Sequence, residues 1–362
     1  LSDLLPARPA KDPAPEALVG DDGSIVLGSW NGIPGKANLI DAERPYHYPL
    51  PHFLKRLRLK EWQAIQAGDE DWFLCAVLYD AKFISMASID LWDRKGKKKS
   101  GFRRIFPGSR FSMPQNLDAF ESHASAGGDY LSIRVSPDKS FLGLKAFSCS
   151  KNPGKEARPG DETFNLDLRF DLSPGACSPF SVCLPLGLNR AMYSTKILMP
   201  CSGTLSSSGR VHHFDPAKAT GTLDDHKGYY PYRLHYDWIM GFGIDALGRR
   251  VGFNLTDNQV RDQARYNENR LWIDGLIHSL PPVKITRPYG VESPWNIQDT
   301  EGMVDLVFHP EVSHDIKMKL GIAEIDYAGP FGRFEGRLRS PAGESIEASG
   351  LYGMGEDKNV RL

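Results

Sequence analysis

Residues 224–238 read Asp-Asp-His-Lys-Gly-Tyr-Tyr-Pro-Tyr-Arg-Leu-His-Tyr-Asp-Trp. From Tyr232 the side chains alternate. Tyr232, Leu234, Tyr236, Trp238 and Met240 fall on one face, and Arg233, His235 and Asp237 on the other, which is the two-residue period of a strand. The window also concentrates aromatic rings, imidazoles and carboxylates beyond what packing asks for. Rings give a pocket its shape, while phenol, imidazole and carboxylate supply polarity and protons, so the same stretch reads as a ligand site. Asp224–Tyr230 precede the alternating run, where the mouth of a barrel is expected.

Working outward, strand patterns dominate. In the first half they include Ser24–Trp30, Leu54–Ala64, Trp72–Tyr79, Phe83–Trp92, Tyr130–Val135, Phe141–Phe147 and Phe164–Leu172. In the second they include Ala191–Leu198, Tyr232–Ile244, Arg250–Thr256, Arg270–Ile277, Met303–Phe308, Ile316–Ile325, Gly332–Leu338 and Ile346–Tyr352. Turn-forming Gly, Pro, Asn and Asp clusters separate them, and 136–139 and 340–343 read as tight hairpin connections. Only Asn116–Ala124 and Asn258–Tyr266 suggest helix, and both are short. Many strands in series with short turns predict an all-β protein, closed into barrels or sandwiches. Gly and Pro thicken over 150–188, which places an expected division near residue 185. The reading is thus a flexible segment 1–22, a first barrel over 23–185, and a second over 186–362 that carries most of the site.

The bulk properties exclude several classes of function. A formal net charge of -1 over 362 residues removes any general electrostatic attraction to nucleic acid or an anionic membrane. The basic run Arg94–Lys99 reads as a solvated hairpin tip. No apolar stretch approaches the length of a membrane span, and no secretory leader is visible, so a cytoplasmic location is expected. The five cysteines are odd in number and form no C-x-x-C pair, which argues against a disulfide framework or a structural zinc site. The glycines of Gly329–Gly336 follow no strand-to-helix junction, so no nucleotide loop is read there. No metal or organic cofactor is expected, because His226 and His235 lack Cys or His partners at ligand spacing.

Several motifs together carry a resemblance. They are Arg58-Leu59-Lys60-Glu61-Trp62, Asn189–Lys196, Gly228-Tyr229-Tyr230-Pro231-Tyr232, Glu268-Asn269, and Pro294-Trp295 ahead of Asp305-Leu306-Val307-Phe308. In this order they resemble the family catalogued as domain of unknown function 2804, over about Trp30 to Glu356. That family is distantly similar to two-barrel, lipocalin-like (calycin-type) proteins such as carotenoid 1,2-hydratases and tocopherol cyclase. The resemblance implies two packed antiparallel barrels with few short helices.

Candidate chemistry follows from residue type and placement. Asp225, Glu268 and Asp305 are the candidate catalytic carboxylates, with Tyr230 as hydrogen-bond donor. Asp305 shares an expected strand face with Met303 and Val307, an apolar setting that would raise its pKa and suit a general acid. His226, Tyr229, Tyr232, Trp238, Asn254, Asn269, Lys196 and Glu356 are candidates for substrate contact. The expected function is a cofactor-independent enzyme doing acid–base chemistry on a small apolar or polyhydroxylated molecule. Hydration, dehydration, cyclisation and glycoside-type cleavage all fit such groups. A lipid or hydrophobic-ligand carrier, or a carbohydrate-binding module, remains the alternative. The expected partner is a small molecule, and the number of subunits is left open.

Overall fold

Runs of alternating polarity bounded by turn residues can bury one face as strands but not as helices, and strands are what they form. The computed structural model describes residues 13–149, 163–207, 209–258, 260, 262–320 and 323–361. Within these residues the α-helix is His52–Arg58, and a short 3-10 turn covers Leu39–Asp41. The helix takes over the start of the strand expected from Leu54, since strand structure begins only at Leu59. Neither expected helix is formed among the described residues. Phe120–Ala126 is a strand, and 263–266 form turns.

All strand pairs are antiparallel and fall into two sheets. The first runs, in spatial order, Lys98–Pro107, Ile84–Asp93, Trp72–Asp80, Leu59–Gly68, Thr220–Tyr229, Ala191–Ser207, Phe164–Asp171, Phe141–Ser148, Asp129–Val135 and Phe120–Ala126. Its ends curl toward each other, with the Trp72–Asp80 strand beside Phe120–Ala126 and an Arg104–Asp129 ion pair near the seam. The second runs Leu276–Ser279, Arg270–Ile273, Arg250–Asp257, Arg233–Ile244, Tyr352–Arg361, Phe331–Arg339, Val304–Val312, Trp295–Asp299 and Val283–Thr286. The last of these returns against Arg250–Asp257, so this sheet also nearly closes. Two nearly closed antiparallel barrels result. The basic run at 94–97 is the hairpin tip between paired strands, as expected.

The division between the sheets is not where the Gly/Pro-rich stretch suggested. Ala191–Ser207 and Thr220–Tyr229 both pair within the first sheet, and the chain crosses to the second at Tyr230–Tyr232. The described part of that stretch contributes two strands to the first sheet, Phe164–Asp171 and Ser178–Pro185, and residues 150–162 lie outside the described part. The expected flexible segment is also corrected from residue 13 onward. Leu18 and Val19 are buried beside Trp30, Tyr193 and Tyr229, and Asn38 bonds both backbone groups of Val19. Residues 1–12 lie outside the described part.

Each barrel has its own core. Ile65, Ile89, Ile133, Leu144, Leu168 and Leu223 fill the first, and Phe253, Leu271, Trp295, Leu306, Phe308 and Phe334 fill the second. A third cluster joins them, including Phe73, Phe180, Trp238, Met240, Trp272 and Phe331. Strands that touch this cluster are buried on both faces, so they lack the polar-out alternation of a free sheet surface. The described cysteines are all unpaired. No described helix is long and apolar enough to cross a membrane.

The long Ala191–Ser207 strand serves two sets of neighbours. Up to Pro200 it pairs with Ser178–Pro185 and Thr220–Tyr229, and from Cys201 with Phe164–Asp171 and Arg210–Phe214. It bends at Gly203, whose φ is +130 and whose missing Cβ would lie 2.1 Å from the Asp167 carbonyl oxygen. Gly203→Ala should therefore destabilise the protein by about 2 kcal/mol or more, read as a lowered urea midpoint.

Candidate functional site

The passage at Tyr230–Tyr232 sets two sheet faces against each other, and a cavity of about 180 Å³ lies between them. Its walls come from Leu59–Gly68, Thr220–Tyr229 and Ala191–Ser207 on one side, and from Arg233–Ile244, Tyr352–Arg361 and Ala323–Ala328 on the other. The site thus belongs to both barrels rather than mainly to the second. Most of the lining is apolar, including Ile84, Met86, Met192, Ile316 and Ile325.

Strand register decides which polar groups face inward. Asp224 lies opposite Lys196 and Ala64, and His226 lies opposite Ser194 and Trp62. Side chains at directly opposite positions stand on the same face. Lys196 Nζ lies 3.0 Å from Asp224 Oδ2 and 3.5 Å from Glu268 Oε2, and 5.2 Å from the Trp238 ring centre. The Ser194 hydroxyl donates to Asp224 Oδ1 at 2.8 Å. Burial pushes the Asp224 carboxyl up, but Lys196, His226 and Ser194 outweigh it and hold it below its usual range. The His226 ring stacks on Trp62 with centres 3.8 Å apart, and its Nε2 is hydrogen-bonded to the Tyr230 hydroxyl. Burial takes the imidazole down to about 3, against the pull of Asp224, so it is neutral. Burial likewise pushes the Tyr230 phenol well above its usual range. The Tyr230 ring folds back over Gly228, where a Cβ would meet its hydroxyl at 3.1 Å.

The opposite wall supplies a second polar set. On Tyr352–Arg361, Glu356 faces Trp238 and Lys358 faces Tyr236. Glu356 accepts from the Tyr236 hydroxyl at 3.2 Å and the Tyr327 hydroxyl at 2.7 Å. Glu268 precedes the Arg270–Ile273 strand, and Asn254 holds its backbone. Asn254 donates to the Glu268 carbonyl at 2.7 Å while accepting from Trp238 Nε1 at 2.6 Å. Asn269 accepts from the Thr256 amide at 2.8 Å and donates to the Pro281 carbonyl.

Of the residues singled out from sequence, Tyr230, Glu268, His226, Trp238, Lys196 and Glu356 line the cavity. Asn254 and Asn269 stand behind it as supports. The other four are placed elsewhere. Asp225 points into the first barrel, where it accepts from Gln63 Nε2 at 3.1 Å. Its neighbour Asp224 takes the cavity position, because a one-residue shift in a strand reverses the face. Asp305 is exposed and bonded to Gln298. The buried face of its strand is Val304, Leu306 and Phe308, opposite to the face expected from Met303 and Val307. Tyr229 is buried beside Tyr46 on the far side of its strand. Tyr232 is half exposed and precedes the strand it was expected to open. Asp224, Trp62, Tyr236, Tyr327 and Lys358 were not among the sequence candidates. Continuing the two-residue period backward through 230, 228, 226 and 224 finds Asp224.

His235, Asp237 and Asp357 form an acidic group outside the cavity, but Arg287 Nη2 already lies 2.7 Å from Asp237 and 3.4 Å from Asp357. A guanidinium occupies the place of a cation there.

These features define a two-barrel all-β protein with a largely apolar cavity between its sheets and a cluster of buried ionisable groups on the cavity walls. The chain belongs to the family described as a domain of unknown function (DUF2804), whose model matches residues 17–362. Among solved structures it is similar to kievitone hydratase from Nectria haematococca, at 14% identity and TM-score 0.48, covering 83% of this chain and 88% of that one. It is also similar to CdiB from Acinetobacter baumannii, at 9% identity and TM-score 0.19, covering 84% and 60%. A search of curated proteins gave no match.

Two substitutions test the electrostatics. Lys196→Met removes the cation between two buried carboxylates and should cost about 3–5 kcal/mol in chemical denaturation. Asp225 is raised to about 6, chiefly by burial with Glu61 and Asp224 adding to it, from a usual 3.8. The stability that its protonated form contributes is present in full below pH 3.8 and is lost as pH rises through about 6. Gln63 Oε1, without a partner among the described residues, is free to accept from an amide at position 225. Asp225→Asn should therefore stabilise the protein by up to about 3 kcal/mol at pH 8 and by little at pH 4, measured by urea unfolding at both.

Proposed function

We propose that the protein is a cofactor-independent enzyme that adds or removes water on a small, largely apolar molecule held between the barrels. The observation that carries this reading is the line Asp224–His226–Tyr230 ending at an apolar cavity. His226 Nδ1 lies 4.0 Å from Asp224 Oδ1, so the carboxylate favours the tautomer protonated on Nδ1. Nε2 then accepts from the Tyr230 hydroxyl, whose lone pairs are left for a ligand. When Tyr230 takes a proton from the substrate, its own passes to His226, and Asp224 stabilises the imidazolium that forms. Run in reverse, the same line delivers a proton to a leaving hydroxyl. The low-polarity walls keep these groups desolvated, which strengthens every charge interaction within.

The five unpaired cysteines suit a reducing compartment, and we place the reaction in the cytoplasm. The apolar walls alone would also serve a carrier of hydrophobic ligands, and catalysis separates the two. A set of apolar alcohols and alkenes is incubated with the protein in deuterated and heavy-oxygen water. Solvent oxygen should enter substrate or product, and Tyr230→Phe should lower that rate by about 10²-fold with little change in ligand affinity. Ligands that bind with no exchange in any member of the set would establish the carrier instead.

A further inference from the structure

Three lysines face the cavity, and two of them have partners. Lys196 is bonded to Asp224 and lies against Glu268. Lys60 donates to the backbone carbonyls of Leu57 and Ala81 at 2.8 and 2.7 Å. Lys358 differs. Its Nζ lies 4.8 Å from the ring centre of Trp62, 5.4 Å from Tyr236, 5.9 Å from Tyr327 and 6.0 Å from Tyr79. Among the described residues it has no hydrogen-bond acceptor and no carboxylate within 4.0 Å. Ring faces stabilise an ammonium electrostatically but leave its N–H donors without strong acceptors. Burial, the first cause, takes this lysine below its usual range despite Glu356 and Asp224. Glu356, two residues back on the same face, is occupied by two tyrosine hydroxyls.

We propose that Lys358 is the oxygen anchor of the site, donating to the carbonyl oxygen of a β-hydroxy carbonyl compound or the corresponding enone. The inference rests on the water-addition reading above and names its substrate class. Three features point to a carbonyl. The ammonium donors have no protein acceptor among the described residues, and a ligand oxygen offers one that a pure hydrocarbon lacks. Against the carboxyl groups of Asp224, Glu268 and Glu356 the cavity sets three lysines, of which burial takes Lys60 down to about 7, so it has no surplus positive charge for a ligand carboxylate. A carbonyl oxygen is neutral in the ground state and becomes negative only during reaction, when a fixed cation beside it is worth most. The four rings around Nζ suit a flat conjugated system.

The step balances without a further reactant. The Tyr230–His226 pair removes the α-proton, and the C–H electron pair forms an enolate whose oxygen charge rests on Lys358. The enolate then collapses, restoring C=O and forming the α,β double bond as the β-carbon–oxygen bond breaks. The leaving hydroxide takes the proton back from the relay and departs as water. Hydration of the enone is the same sequence reversed.

The test uses the full chain and benzylideneacetone, an aryl enone whose absorption band moves to longer wavelength when its carbonyl is polarised. The wild type should bind it with a red-shifted band. Lys358→Met, checked for fold by circular dichroism, should lose the shift and bind about 10-fold more weakly or worse. Lys358→Arg should restore part of the shift, which a merely structural role for the lysine would not do. Tyr230→Phe should keep the shift while losing solvent exchange. The proposal is overturned if Lys358→Met retains shift and affinity, if the wild type shows no shift, or if borohydride traps a covalent imine at Lys358. A shift without water exchange sinks the water-addition reading and leaves the anchor standing. Exchange on alkenes lacking a carbonyl, unaffected by Lys358→Met, does the opposite.

Discussion

The Lys196 ammonium is buried where the two barrels meet, and the site depends on how its charge is balanced. One partner, Asp224, lies on the neighbouring strand of the first sheet, and the other, Glu268, comes from the second half of the chain. Taking an ammonium out of water costs several kcal/mol, which only close and well-formed partners offset. The two sheets are therefore held in the relation that brings Glu268 to Lys196. Asn254 fixes the Glu268 backbone, and Trp238 lies beside the cation while bonding that asparagine. The same ion group keeps Asp224 charged next to a neutral His226.

From that constraint the chemistry of the cavity follows. Walls rich in methionine, isoleucine and aromatic rings offer few partners of their own, so each polar group inside is either paired with another or available to a ligand. Ser194, Lys196 and Trp62 fix Asp224, Tyr236 and Tyr327 fix Glu356, and His226 is stacked on Trp62 and bonded to Tyr230. A site with most of its polar groups tied to one another is preorganised, and little reorganisation is left for the reacting step. Tyr230 stands at the crossing between the sheets, so the residue nearest the proposed proton transfer is also the one that ends the first barrel.

Much of this was legible in the residues. The alternation of Leu234, Tyr236, Trp238 and Met240 was read as one face, and all four line the cavity. The stretch 224–238, rich in ionisable and aromatic groups, contributes Asp224, His226, Tyr230, Tyr236 and Trp238 to the cavity wall. What failed did so by single positions and for one reason. Where a strand is buried on both faces, polarity no longer tells inside from outside. Asp225 and Asp224 are then equivalent in sequence although they face a barrel core and a ligand cavity. Asp305 failed in the complementary way, because Val307 is an apolar residue on its outer face while Met303 stands ahead of the strand and packs against the core. Lys358 had no local mark at all, since its significance comes from Trp62 and Tyr79, nearly three hundred residues earlier.

The strand and turn pattern by itself determined an all-β protein of many short strands, and the 224–238 window marked a stretch that lines the cavity. Those features depend on local period and turn chemistry, which a short run of residues specifies. The crossing point at Tyr230–Tyr232, the sharing of the cavity by both barrels and the choice of Asp224 over Asp225 were decided only by the tertiary structure. They depend on which strand pairs with which and in what register, and distant parts of the chain set that pairing by burying their faces against one another.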